Sequence, residues 1–252
     1  KNEKILNLKN DVIFQAFFSR KGNEKYLIDF LNALLKMDIK SIEIREEVNL
    51  EKLSKEEKGG RLDLQAKLGD GTIVSIEMQM RDEGNFKQRT TMYAGKVESR
   101  ETKKGIKYED ISQIIMINIL GFNMLDVEDY ISETAIVLNK HRDYEVLTGI
   151  KWYFIELPKF RKAKPDMNEK IKWMAFIDDD NKEMIDMAEN KNKTLKDARK
   201  EMNYLTGDAE VRRLAELREK WEMDRINAIS YATKVGKEQG VKEGIIETAR
   251  EM

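Results

Sequence analysis

The stretch RLDLQAKLGDGTIVSIEMQM, residues 61 to 80, constrains the fold of this chain more than any other. Leu62, Leu64, Ala66 and Leu68 alternate with Asp63, Gln65 and Lys67. Beyond a glycine-rich break, Val74, Ile76, Met78 and Met80 alternate with Ile73, Ser75, Glu77 and Gln79. Such period-two patterning predicts a β-hairpin with one apolar and one largely polar face. Register decides which polar residues meet. A two-residue turn at Asp70-Gly71 would pair Leu68 with Ile73 and Asp63 with Met78, setting polar against apolar side chains, which the pleat does not tolerate. A three-residue loop, Gly69-Asp70-Gly71, instead pairs Leu68 with Thr72, Leu64 with Ile76 and Ala66 with Val74, and sets Asp63 opposite Glu77. Gly71 supplies the left-handed final residue that such loops favour.

Opposed residues hold their Cβ atoms about 5 Å apart. Asp63 and Glu77 can then reach one divalent cation, which would offset their mutual repulsion. The plainer reading is a solvated polar face on a half-buried hairpin.

Composition narrows the chemistry. With 252 residues the chain can bury a sizeable core, and its 37% charged residues indicate much solvated helix. Lys and Arg total 46 against 47 Asp and Glu, so any nucleic-acid surface must be a local patch. Zero cysteines exclude disulfides, thiolate metal sites and cysteine nucleophiles, and fit a cytoplasmic address. His141 is the single histidine, which leaves carboxylates as the natural ligands and favours Mg²⁺ or Mn²⁺. No apolar run reaches membrane-spanning length and no secretory signal opens the chain, so no membrane association is expected.

Along the chain, an α/β region over 1–165 gives way to a helical region over 166–252. Residues 8–19 and 24–37 read as helices, with Asn23 as N-cap of the second. A strand is expected near 41–50, a charged loop over 51–60, and a helix over 85–102. The apolar run ISQIIMINIL, 111–120, reads as a strand buried on both faces. Strands follow at 131–139 and 151–157, the latter ended by Pro158, and a basic loop KFRKAK lies before Pro165. Ile171, Trp173, Met174 and Phe176 mark a helix packing back on the core. Asp178-Asp179-Asp180 reads as a helix-end loop, with metal binding as the alternative. Val211, Leu214, Leu217 and Trp221 form a helical stripe. GKEQGVKEG, 236–244, marks a solvated helical tail, a candidate for homo-oligomer formation. The chain opens on Lys1 and stops inside this tail, so a longer native protein is expected. After the hairpin, residues 81–107 carry eight basic residues and four acidic ones from Arg81 to Lys107, a candidate phosphate-tracking surface.

Seven ordered segments resemble one family. They are KNDVIFQAFF, FLNALL, GRLDLQAKLGDGTIVSIEMQM, FKQRTTMYAGK, GIKYEDISQIIMINILGF, HRDYEVL and FIELPKF, running from about Lys9 to Phe160. Together they resemble the PD-(D/E)XK nuclease superfamily, in particular the Rpn-type recombination-promoting nucleases, also described as PD-(D/E)XK family transposases. The resemblance implies a restriction-endonuclease-like α/β fold, a mixed central sheet flanked by helices, here with a C-terminal all-helical extension. It also implies a magnesium-dependent DNA endonuclease, a hydrolase of phosphodiester bonds linked to recombination. Asp63 and Glu77 would be metal ligands, joined by the Met78 carbonyl. Gln79 falls where the superfamily motif usually has lysine, so a neutral amide replaces the charge that orients water. Asp11 matches an early acidic position and would contact metal, or else caps its helix. Gln88, Arg89 and Tyr93 would face substrate; Arg89 and Tyr93 share a helix face and would contact the scissile phosphate or support Glu77.

Two alternatives stand beside this reading. One is a weak or inactive nuclease fold that binds DNA or a partner without cutting. The other is a DDE strand-transfer enzyme, which the hairpin argues against because its two carboxylates lie only fourteen positions apart on adjacent strands.

Overall fold

The computed structural model describes residues 6–45, 64–102, 105–163 and 166–251. Asp63, the second half of the 41–50 strand and the 51–60 loop lie outside the described residues. Two helices open the fold, α1 (Asp11–Phe18) and α2 (Glu24–Leu35). A short strand β1 (Ile42–Ile44) precedes the hairpin β2 (Leu64–Leu68) and β3 (Ile73–Gln79). Helix α3 (Phe86–Glu101) leads to β4 (Ile114–Leu120), then β5 (Ile131–Glu133), β6 (Ile136–Leu138), β7 (His141–Leu147) and β8 (Ile150–Glu156). Five helices complete the chain: α4 (Leu157–Ala163), α5 (Glu169–Asp178), α6 (Lys182–Lys191), α7 (Lys193–Gly207) and α8 (Ala209–Glu251).

Six strands form a mixed sheet in the order β1-β2-β3-β4-β8-β5, and β6 and β7 pair separately. β1, β2 and β3 are antiparallel, while β3, β4 and β8 run parallel. The hairpin has the three-residue loop that its pattern demands. Leu64 pairs with Ile76 and Ala66 with Val74, and the Leu68 amide donates to the Thr72 carbonyl at 2.8 Å. Gly71 adopts φ 95°, which a side chain would resist.

The two sheet faces are covered differently. Val74, Ile76 and Met78, with Ile115, Ile117 and Ile119 of β4, join a large cluster with α1, α2 and α5. Seven of the eight α1 residues are buried, because α2, α7 and α8 pack around it and leave it little solvent-facing side. The other face carries Ile73, Ile114 and Met116 against Ala94 and Val97 of α3. β3 is therefore buried along its whole length, as is β4. The expected solvated face of β3 is corrected accordingly: α3 covers it, leaving Ser75, Glu77 and Gln79 only 2%, 2% and 7% exposed.

The large cluster does not stop at residue 165. Ile171, Trp173 and Phe176 of α5, Leu195 of α7 and Leu214 of α8 belong to it, so the later helices pack on the same core. Trp173 is fully buried and donates its indole N–H to Asp29 at 2.8 Å.

Four local expectations change. β8 ends before Pro158 as expected, but the KFRKAK segment is not a loop: Pro158 occupies the first turn of α4, where a missing N–H costs no helical bond. Asn23 sits at the N-cap of α2 without capping it, because its side-chain amide donates to the Phe17 carbonyl at 2.7 Å. Asn10 does cap α1, accepting from the Val12 and Ile13 amides. The 131–139 segment is two short strands, and β7, charged and largely exposed, had no strand expectation. Asp178, Asp179 and Asp180 close a helix end and are engaged by Arg161, Arg199 and Lys9. Among the described residues no helix is long and apolar enough to cross a membrane.

Candidate functional site

The C-terminal end of β3 opens into a cleft of about 770 Å³ lined by Met78, Gln79, Asp11, Arg89 and Tyr93, together with Arg218, Trp221 and Arg225 of α8. Ligand sites of open sheets commonly lie outside the carboxyl ends of parallel strands, and β3 and β4 end here.

Glu77 sits on the α3 side of β3, beside Asn118 of β4 in the parallel register. Burying a carboxylate is costly unless it is paired. Arg89 provides the partner, with Nη2 2.8 Å from Glu77 Oε1 and its side chain only 10% exposed. Arg89 also lies 3.4 Å from Glu83 and stacks over Phe86, its guanidinium carbon 4.7 Å from the ring centroid. The Arg89 Nε–H is buried without an acceptor. Behind this pair, Thr90 donates to the Asn118 side chain at 3.0 Å, and Asn118 donates to the Tyr153 carbonyl. A row of polar groups thus crosses an otherwise apolar helix–sheet layer, with Glu77 held by Arg89.

Gln79 follows on the same face and donates its amide to the Arg81 carbonyl at 2.7 Å. That bond fixes the amide orientation at the cleft wall and leaves the side-chain carbonyl as its acceptor group. Met78 points the opposite way, into the large cluster, while also lining the cleft. Asp11 is the first residue of α1. Its carboxylate takes a two-pronged interaction from Arg218, with Nη2 at 2.7 Å and Nε at 2.9 Å.

Of the sequence-derived set, Asp11, Met78, Gln79, Arg89 and Tyr93 share the cleft, and Glu77 is tied to it through Arg89. Gln88 is exposed and does not line it. Asp63 lies outside the described residues. Sequence reasoning missed Glu83, Arg218 and Arg225. Arg218 and Trp221 do sit at helical spacing on the stripe that marked α8, but nothing local shows that this helix returns to a residue 207 positions earlier.

Hard oxygen donors suit magnesium or manganese. Among the described residues no group of three or more acidic, histidine or cysteine side chains is gathered tightly enough to hold a metal ion. Glu77, Gln79 and the Met78 carbonyl at the end of β3 are of the right chemical type, with Asp11 at the same cleft.

Comparison with known proteins points the same way. Neither a curated protein nor a solved structure matches the chain. A family model described as PD-(D/E)XK nuclease family transposase matches residues 8–232, spanning both the sheet and the helices that close the cleft. With a mixed sheet flanked by helices and an acidic residue followed two positions later by Gln79 on β3, the chain belongs to the PD-(D/E)XK nuclease family transposases.

Proposed function

We propose that this protein is a metal-dependent DNA endonuclease that hydrolyses phosphodiester bonds, acts in the cytoplasm and serves recombination. The observation that carries the reading is Glu77, a buried carboxylate fixed by Arg89 at the cleft end of β3, in a chain of a nuclease family. Glu77, Asp63 and the Met78 carbonyl would hold Mg²⁺ or Mn²⁺. When bound, such an ion lowers the pKa of a water and stabilises charge on the leaving oxygen.

The chain's own residues supply the rest. The Gln79 carbonyl can accept a hydrogen bond from the attacking water, its amide being anchored on Arg81. Being neutral, Gln79 orients this water without the charge a lysine would add. Arg89 holds the Glu77 carboxylate in one orientation, and Tyr93 places a hydroxyl-bearing ring at the same cleft. Asp11 is available as a further acidic contact once Arg218 gives it up.

The test is cleavage of supercoiled plasmid and of single-stranded DNA across a Mg²⁺ titration. The parent should give product that chelation abolishes, and Asp63→Ala should lose it with the fold intact. Undiminished cutting by that variant would remove the site assignment. A second reading, a nuclease fold that binds DNA without cutting, draws on Gln79 in place of lysine; it predicts DNA binding with no Mg²⁺- or Mn²⁺-dependent product.

A further inference from the structure

Helix α8 is held to the rest of the molecule in two different ways. Its first two turns are anchored by burial, with Val211, Leu214 and Ala215 in the large apolar cluster. Beyond Ala215 no described residue of α8 is buried, and neither Leu217 nor Trp221 joins an apolar cluster among the described residues. Yet the helix continues beside the cleft for about three more turns, which Arg218, Trp221, Glu222 and Arg225 line. Charge holds it there. Arg218 grips Asp11 of α1, with Nη2 at 2.7 Å and Nε at 2.9 Å. Seven residues later, Arg225 reaches Glu83, in the turn between β3 and α3, at 2.6 Å. Trp221 lies between them, its ring centroid 4.9 Å and 5.5 Å from the two guanidinium carbons. The indole therefore packs on the two ties and not on the core. The Arg225–Glu83 pair is 34% and 21% exposed; such solvent-reaching pairs shift an equilibrium only about 1.5- to 5-fold and weaken with salt. A segment with polar ties and no buried apolar side chain opens ahead of the core that anchors it.

We propose that residues 218–225 of α8 are a strap that closes the cleft and must swing away for a nucleic-acid strand to enter. The inference rests on the nuclease reading for what enters, and adds how entry is controlled. In the closed form the strap makes one wall of the cleft and keeps the Asp11 carboxylate engaged by a guanidinium. Opening removes that wall and frees Asp11 in the same motion. Because only open molecules accept the strand, the ties lower its apparent affinity by the open fraction. Arg218 and Arg225 thus act against the direction their charge suggests. Cations in a nucleic-acid cleft ordinarily strengthen binding through the phosphates, whereas these two restrain it.

The experiment compares the parent with the double variant Arg218→Gln/Arg225→Gln. Lys234→Gln/Lys237→Gln serves as a control that removes the same charge from an exposed part of the same helix. Amide hydrogen exchange over residues 217–226 should run about 3- to 20-fold faster in the double variant, with melting curves confirming the fold and with residues 209–215 unchanged. In chelator, where no cleavage occurs, the double variant should bind a fluorescent DNA oligonucleotide at least about twofold more tightly than the parent, despite its lost positive charge. The control should bind no more tightly than the parent. Unchanged exchange over 217–226, or equal or weaker oligonucleotide binding by the double variant, would overturn the proposal. The two readings fail separately. Faster exchange with no oligonucleotide bound by either form sinks the nuclease reading and leaves the strap, while Mg²⁺-dependent cleavage with unchanged exchange sinks the strap alone.

Discussion

Glu77 shows how a polar residue on an alternating strand can end up buried and paired rather than solvated. Its alternation with Ile76 and Met78 marks it as facing away from the apolar set, and water would be its ordinary surrounding. The structure puts α3 there instead, so Glu77 is 2% exposed with Arg89 at 2.8 Å. Removing that arginine takes away the counter-charge and leaves the carboxylate in a desolvated layer. Arg89→Met should therefore cost about 3 kcal/mol of folding stability, measured by chemical denaturation. A loss below about 0.5 kcal/mol would show that the pair is energetically idle. Gly121 makes a second residue-scale case. A Cβ there would lie 2.5 Å from the Met80 carbonyl oxygen, so Gly121→Ala should lower the melting temperature by shifting the chain just past β3. The family resemblance already allowed for Arg89 supporting Glu77, whereas the burial of Glu77 under α3 and the close approach at Gly121 were not legible from the sequence.

Among elements, legibility followed locality. The β2–β3 hairpin and its register were readable because period-two alternation and turn chemistry are both written within twenty residues. β4 was readable as doubly buried because its apolar run is continuous. The KFRKAK segment reads as a loop but is helical, because proline ends some segments and opens others, and only the following chain decides which. β7 gave no warning, since HRDYEVL is mostly charged and exposed. The face of β3 turned toward α3 was the largest miss. Ile73, Ser75, Glu77 and Gln79 are too mixed to announce a covering helix, and α3 meets them through Ala94, Val97, Thr90 and Arg89. Ala94 is 1% exposed between α3 and the sheet. Ala94→Leu should overpack this layer and destabilise it by about 1–3 kcal/mol, while the same change at exposed Gly95 should be near neutral or stabilising, as a better helix former. Equal effects at the two positions would contradict this layer assignment.

At the scale of the whole molecule, long-range charge offers a nucleic-acid substrate little attraction. The net formal charge is −1, and three of the four arginines lining the cleft already serve carboxylates: Arg89 on Glu77, Arg218 on Asp11, Arg225 on Glu83. DNA affinity should accordingly fall only gently with salt, with a log–log slope smaller in magnitude than about 3; a slope near that of strongly basic DNA binders would place the binding surface elsewhere. The C-terminal helix α8 spans 43 residues, roughly 65 Å, of which only the first two turns are deeply buried. Its distant partner, Asp11, explains why the sequence revealed an amphipathic stripe but not the cleft it closes. The architecture was thus visible in local patterns and most of the cleft-facing set in the family resemblance, whereas the ion pairs of Arg218 and Arg225 arise only on folding.

The proposed activity requires metal-dependent cutting through the carboxylate at the end of β3. The most direct measurement is the cleavage rate of the parent and of Glu77→Gln on single-stranded and plasmid DNA across a Mg²⁺ titration, with melting curves confirming equal folding. Mg²⁺-dependent product from the parent and a loss of at least about 100-fold in Glu77→Gln are expected; cutting by Glu77→Gln at the parental rate, with the same Mg²⁺ dependence, would contradict it.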